Sequence, residues 1–207
     1  LYLHTNGKFY NIVGEDYVKY AFQFARNTVN ELGADINLYY NDFNCFQNDS
    51  GTNKTDRIIG LINYLNKDEM LMDSMGMEGY VLTYWPDANT VKTAMEAFAK
   101  LGVKVGINEL CVRLNPDISA NKIDVTDADI EEHAKKFVAL MKVYKEFNVK
   151  HPDTLTNVSI WALTDRPDLM TNREHYDYEV YGTHSGLFTA DLAAKDVFHR
   201  VIDELDS

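Results

Sequence analysis

Apolar residues along the chain follow two alternating spacings, which predict an alternation of helices and strands. Helical spacing predicts helices over residues 15–32, 55–66, 90–101, 127–147 and 191–205. Short apolar runs predict strands over residues 36–40, 74–78, 103–110 and 158–163, with a polar loop over 41–53. Strict alternation is typical of a parallel sheet with helices packed outside it, so the predicted fold class is α/β.

Such a sheet closes in one of two ways, as an open doubly wound sheet or as part of a (β/α)8 barrel. Neither GxGxxG nor a GxxxxGK loop follows a predicted strand, which disfavours the nucleotide-binding open sheets. Polar and aromatic residues collect at the carboxyl ends of the strands, where barrels carry their sites. Four strand–helix units amount to half of such a barrel.

The charge and cysteine content exclude several kinds of partner. The formal net charge of −12 disfavours nucleic acids and anionic membranes, because both are negatively charged. No apolar run in the sequence is long enough to span a bilayer. The two cysteines, Cys45 and Cys111, lack CxxC spacing and predict neither a disulfide framework nor a zinc site. Three N-x-S/T sequons, at Asn48, Asn53 and Asn157, are too short a pattern to fix the compartment.

Side chains suited to carbohydrate chemistry occur at or just after the ends of all four predicted strands. They are Asn41, Asn44, Glu78, Tyr80, Trp85, Glu109 and Trp161. Taken singly, an asparagine after a strand is usually a turn former, and a lone tryptophan is usually part of the core. Together they supply the carboxyl groups, hydrogen-bonding groups and aromatic faces that glycoside hydrolysis requires.

Four segments resemble strand motifs of glycoside hydrolase family 10: LYYNDFN at 38–44, GMEGY at 76–80, INEL at 107–110 and IWALTD at 160–165. They occur in the order and at the spacing of that family's strands five to eight. GEDYV at 14–18 likewise resembles the start of the family's fourth helix. The resemblance therefore implies the C-terminal half of a TIM (β/α)8 barrel, strands five to eight with their helices.

The resemblance also implies an activity, that of a retaining endo-1,4-β-xylanase. Glu109 would be the catalytic nucleophile that forms a covalent glycosyl-enzyme. Substrate-binding roles are implied for Asn41, Asn44, Glu78, Tyr80, Trp85 and Trp161. Trp85 would be an outer sugar platform, with simple packing as the alternative. The partner would be xylan or a xylo-oligosaccharide, with no cofactor or metal, and the protein would be secreted or on the cell surface.

Three positions in or next to the segments that resemble strands six and seven depart from the family pattern. Glu78 stands where the family has Gln, Tyr80 where it has His, and Cys111 where it has Asp. In the family that His helps to hold the nucleophile, a role open to the Tyr80 hydroxyl. Glu78 and Glu109 would be neighbours on adjacent strands, which should raise the pKa of at least one of them. Glu78 is then expected either to be protonated and donate a hydrogen bond to Glu109 or to pair with a base such as Arg113.

The family's acid/base Glu follows an Asn after strand four, and residues 1–5 contain no Asn-Glu pair. We therefore expect residues 1–207 to be the C-terminal part of a catalytic barrel. Its N-terminal half would come from the same polypeptide or from a second chain, and the isolated chain would be inactive. The alternatives are a degenerate barrel that binds xylan without cutting it, another clan A β-glycanase, or Glu78 and Glu109 as the acid and nucleophile pair.

Overall fold

The computed structural model describes residues 6–48, 53–114, 125–161, 163–165 and 185–207 of the chain. Its helices are α1 (Lys8–Val13), α2 (Tyr17–Leu32), α3 (Lys54–Leu65), α4 (Ala88–Ala99), α5 (Asp127–Lys150) and α6 (Asp196–Asp206). Its strands are β1 (Tyr39–Phe43), β2 (Ser74–Glu78), β3 (Tyr80–Leu82), β4 (Lys104–Arg113) and β5 (Leu155–Ile160). No helix among these residues is both long and apolar enough to cross a membrane.

All strand pairs in the sheet are parallel. β1 pairs with β2, β2 and β3 both pair with β4, and β4 pairs with β5. Helices provide the crossovers, with α3 after β1, α4 after β3 and α5 after β4. The predicted α/β class with a parallel sheet is therefore confirmed.

Helices α2 to α6 each bury an apolar face in a shared core. The predicted stripe on α5 is buried, with no member more than 4% exposed. Its members are Phe137, Leu140, Met141 and Tyr144. α5 begins with a capping box, in which Thr126 and Asp129 each accept a hydrogen bond from the backbone N–H of the other. Gly33, predicted to end α2, adopts the left-handed conformation (φ 58°) that glycine tolerates at this position.

Two strands lie elsewhere along the chain than the apolar pattern predicts. β1 covers Tyr39–Phe43 rather than 36–40, and β5 covers Leu155–Ile160 rather than 158–163. The prediction that a loop begins at residue 41 was therefore wrong. Both strands contain asparagines whose amides bond across the sheet, so the apolar run covers only part of each strand.

Other element boundaries also differ from the predictions. The pattern predicts neither α1 nor β3, and α6 begins at Asp196 rather than at residue 191. Residues 49–52 of the predicted loop and residue 162 of the predicted fourth strand lie outside the described residues.

At its centre, β4 contains one residue more than the strands on either side. Toward β2 and β3, residues 108–110 face only residues 78–79. Toward β5, residues 108–109 face only Ser159. This is a β-bulge, which bends the strand and redirects its side chains. Glu109 lies within the bulge as seen from both neighbours.

Gly79 separates β2 from β3 and packs against this bulge. A Cβ atom at this position would lie 3.0 Å from Leu110 Cα and 3.0 Å from Ile107 Cγ2. The Gly79 carbonyl also accepts a hydrogen bond from the Cys111 backbone, 3.1 Å away. The absence of a side chain at Gly79 therefore allows the backbone to approach β4 closely.

We predict that Gly79→Ala destabilises the full-length protein by about 1–3 kcal/mol, because the added methyl group overpacks against strand backbone. Gly60→Ala is the matched control, since Gly60 lies in α3 and a Cβ there meets no atom within 4 Å. Alanine is the better helix former by about 1 kcal/mol, so the control should gain stability. Urea denaturation measures both variants, and an unchanged midpoint for Gly79→Ala would contradict the close packing.

Candidate active site

The carboxyl ends of the strands bring most of the predicted site residues to one edge of the sheet. Glu78 ends β2, and Tyr80 begins β3. Asn44 follows the last residue of β1, and Trp161 follows the last residue of β5. Glu109 lies in the β4 bulge between them. This is the common edge expected for a barrel site.

Two donors from two other strands hold the Glu109 carboxylate. The Tyr80 hydroxyl donates to Oε2 at 2.9 Å, and Asn41 Nδ2 donates to Oε1 at 3.3 Å. The Tyr80 contact is the one expected from its position in place of the family's His. Burial, and next the hydrogen bond to Glu109, raise the pKa of Tyr80, so its hydroxyl stays protonated as a donor.

Glu78 shares the Asn41 amide with Glu109. Asn41 Nδ2 also lies 3.3 Å from Glu78 Oε1, so its two hydrogens can serve one carboxylate each. Burial raises the pKa of Glu78, and the negative charges of Glu109 and Asp42 raise it further, while Lys54 opposes the shift. The direction agrees with the expectation from sequence. Arg113, proposed as a partner for Glu78, has its guanidinium 5.6 Å from the centre of the Tyr80 ring.

The shared amide bears on whether Glu78 and Glu109 form an acid and nucleophile pair. In a glycosidase the scissile bond lies between the two carboxyl groups. Here the nitrogen of Asn41 lies within hydrogen-bonding distance of both carboxyl groups. This geometry disfavours a sugar between Glu78 and Glu109.

The two tryptophans differ in their surroundings. Trp161 is 45% exposed, and its backbone N–H donates to the Leu110 carbonyl at 2.9 Å. Trp85 packs edge-on against Phe46, with ring centres 5.4 Å apart, and joins the hydrophobic core. Trp161 therefore exposes part of its surface to a ligand. Trp85 packs against the core, and the role of Trp85 as a sugar platform stays a prediction.

Cys111 and Cys45 are both buried free thiols. Burial raises the pKa of Cys111 to about 12, so this position adds no negative charge near Glu109. Cys45 Sγ donates to the Asp42 carbonyl at 2.8 Å. In the part of the chain that the structure describes, no group of three or more His, Cys, Asp and Glu side chains is arranged to hold a metal ion.

Three polar residues near the site were missed by the sequence reasoning. Lys54 forms a 2.7 Å ion pair with Asp42, and Asn108 and Asn157 bond to each other across β4 and β5. Asn108 carries a local signal, since it is the polar residue next to Glu109 in an otherwise apolar run. Lys54 and Asn157 come together with the site only through the fold, so a local pattern does not reveal them.

Comparison with known proteins identifies relatives along nearly the whole chain. The sequence profile of glycosyl hydrolase family 10 matches residues 3–204. Endo-1,4-beta-xylanase A of Thermotoga maritima is 32% identical over 157 residues, covering 75% of this chain and 14% of that protein. Endo-1,4-beta-xylanase of Geobacillus stearothermophilus is 25% identical over 199 residues, covering 93% of this chain and 54% of that protein.

Solved structures give the same result for the fold. A family 10 structure from Paenibacillus barcinonensis matches with a TM-score of 0.77 at 25% identity, covering 97% of this chain and 56% of that one. A variant of P fluorescens subsp. cellulosa xylanase A, in complex with xylopentaose, matches with a TM-score of 0.76 at 25% identity, covering 98% and 58%. The chain thus spans about half the length of these structures.

These matches confirm the predicted fold, since the parallel sheet and its helices are part of a TIM (β/α)8 barrel. They also confirm the family that the strand motifs resemble. The chain belongs to glycosyl hydrolase family 10.

Proposed function

We propose that this chain carries the nucleophile of a retaining endo-1,4-β-xylanase, with Glu109 in that role. The proposal is carried by two hydrogen bonds to the Glu109 carboxylate, in which Tyr80 and Asn41 each donate to one oxygen. Donors that are already in place orient a nucleophile without reorganising during the reaction. The same assignment is supported by the membership of this chain in glycosyl hydrolase family 10 and by its similarity to xylanases.

In the proposed reaction a Glu109 oxygen attacks the anomeric carbon of a sugar unit, and the bond from that carbon to the leaving oxygen breaks. A carboxylic acid on the opposite side gives its proton to the leaving oxygen. The resulting carboxylate then takes a proton from the water that hydrolyses the glycosyl-enzyme, which frees Glu109. Tyr80 and Asn41 keep the Glu109 carboxylate aimed during both steps.

Xylan or a xylo-oligosaccharide is the proposed substrate. Two of the matching solved structures are complexes with xylotriose and xylopentaose. On this chain we propose sugar contacts for the exposed Trp161 ring and for five other residues at the same edge or in the adjoining loop. They are Asn41, Asn44, Glu78, Tyr80 and Trp85. Because a polysaccharide is too large to enter a cell, we also propose a secreted or cell-surface location.

We propose that residues 1–207 are the C-terminal part of a catalytic barrel, and that the other half supplies the acid/base residue. Among the described strands, β1 and β5 each pair on one side only. Open edges in a barrel are closed by further strands. Exposed apolar side chains on α1 and α2 support the same view, since Phe9, Ile12 and Phe24 are 72%, 83% and 71% exposed. The other half would belong to the same polypeptide or to a second chain.

Replacing Glu109 with Gln in the full-length protein is expected to lower kcat on xylan by a factor on the order of 10⁶, because no covalent intermediate forms. A fluorosugar xylobioside should label the parent protein at Glu109, as shown by mass spectrometry of its peptides. Glu132→Gln is the control, since Glu132 lies on the exposed surface of α5 and pairs with Lys135. Full activity of Glu109→Gln, or binding of xylan by the parent without hydrolysis, would refute the proposal.

The chain of residues 1–207, purified alone, is expected to have no measurable xylanase turnover. A positioned acid typically contributes about 10²–10⁴-fold, and this chain is proposed to lack it. Mixing the chain with the separately expressed other half-barrel should restore hydrolysis, with release of reducing sugar as the measurement. Normal turnover by the isolated chain would show that it holds its own acid.

Glu78→Gln is expected to stabilise the full-length protein at pH 7 and to leave its stability unchanged at about pH 3. The raised pKa of Glu78 means that its ionised form is disfavoured in the fold, and this cost grows as the pH rises from the ordinary pKa of the unfolded state to the raised pKa of the folded state. At about pH 3, both the folded and unfolded states carry a protonated Glu78, so the substitution removes no charge. Thermal unfolding at the two pH values measures the effect, with the exposed Glu69→Gln as control. An equal shift at both pH values would contradict the ionic explanation.

A further inference from the structure

Three asparagine amides cross the sheet beneath Glu109 in an unbroken row. Asn157 Nδ2 on β5 donates to Asn108 Oδ1 on β4 at 3.2 Å. Asn108 Nδ2 donates to Asn41 Oδ1 on β1 at 2.9 Å. Asn41 Nδ2 then donates to Glu109 at 3.3 Å. We call this row, Asn157, Asn108 and Asn41, the amide relay.

Two glycines leave the space that the amide relay occupies. A Cβ atom on Gly76 of β2 would overlap the side-chain amides of Asn108 and Asn41. A Cβ atom on Gly106 of β4 would lie 2.6 Å from Asn157 Oδ1 and 2.8 Å from Asn108 Oδ1. Any larger residue at either position would displace an amide, so the backbone is shaped around the row.

The direction of the relay is set at the end that lies farthest from Glu109. Asn157 Nδ2 also donates to the backbone carbonyl of Ile107 at 3.2 Å, and a carbonyl only accepts. The NH2 group of Asn157 must therefore face β4, with Ser159 Oγ 3.0 Å away sharing its hydrogens. Asn108 in turn presents its oxygen to Asn157 and its NH2 group to Asn41.

The last amide must then present its NH2 group to the carboxylates. Asn41 Oδ1 is taken by Asn108, so Asn41 Nδ2 faces Glu78 and Glu109. Without Asn108, the Asn41 amide could rotate by a half-turn and place its own oxygen against two carboxylates. An oxygen facing an ionised carboxylate repels it and leaves Glu109 Oε1 without this donor.

We propose that Asn108, itself oriented by Asn157, is a positioning residue that fixes the Asn41 amide and through it the aim of Glu109. The proposal rests on the proposed role of Glu109 as nucleophile. Asn108 touches no reacting atom, and its effect passes entirely through Asn41. It should therefore slow the covalent step more than it weakens substrate binding.

The experiment uses Asn108→Ala and Asn108→Asp in the full-length protein with an aryl xylobioside as substrate. Asn108→Ala is expected to lower kcat by about 10- to 100-fold with a much smaller change in KM, since small misplacements of a reacting group cost that much. Asn108→Asp should cost more, because its carboxylate cannot donate to Asn41 and forces the amide to turn. Side-chain amide NMR should show the Asn41 NH2 resonances moving in both variants.

A double-mutant cycle tests whether Asn108 acts through Asn41. Asn41→Ala combined with Asn108→Ala should be no slower than Asn41→Ala alone, because the path is already broken. The relay proposal would be overturned if the losses of kcat in the two single variants multiply in the double variant. It would also be overturned if the kcat of Asn108→Asp lies within twofold of that of the parent. Should Asn108→Asp fail to fold, Asn108→Ala and Asn157→Ala carry the test, the latter with a smaller loss of kcat in the same direction.

Asn66→Ala is the matched control for loss of an asparagine network. Asn66 caps α3 and bonds to the backbone of Leu71 and Met72, away from Glu109. It should lower the melting temperature and leave kcat unchanged, which separates structural loss from positioning. Glu109→Gln distinguishes the two proposals. If Glu109→Gln is inactive while the Asn108 variants are normal, only the relay fails. If Glu109→Gln is active, the proposed function fails.

Discussion

The pairing of β4 with strands on both sides is the constraint on which the site depends. Regular pairing with β2 before the bulge and with β3 after it confines the extra residue to positions 108–110. A slip of the whole strand would carry its apolar side chains to the wrong face, so the extra residue cannot be spread along the strand. Glu109 is therefore redirected locally, toward donors that come from β3 and β1.

This constraint also explains why two carboxylates lie so close together. Glu78 ends β2 next to the bulge, and both carboxylates reach the same Asn41 amide. One neutral amide, that of Asn41, donates to the carboxylates of both Glu78 and Glu109. The negative charge of Glu109 contributes to the raised pKa of Glu78. Strain of this kind is common at functional sites, where geometry for chemistry takes precedence over stability.

Much of the fold follows from patterns that act locally. The burial of the apolar stripe on α5 could be predicted from residue spacing alone, because one face of a long helix must cover the sheet. Glu109 lies near the end of the predicted strand over residues 103–110, where a barrel carries its site. The contact of Tyr80 with Glu109 could be anticipated because a hydroxyl can replace an imidazole as a donor. The bounds of β1 and β5 could not be predicted, since the asparagines that line them look like turn residues until their partners are known.

Asn157 has a further consequence for how the protein is made. It opens the sequence Asn157-Val158-Ser159, which enzymes of eukaryotic secretion recognise in unfolded chains. In the folded chain this amide is engaged with the Ile107 carbonyl and with Asn108, inside β5. A glycan attached to this nitrogen before folding would take the place of these hydrogen bonds and hold β5 away from β4. Production in a bacterial host, which does not add glycans to this signal, keeps that strand free to join the sheet.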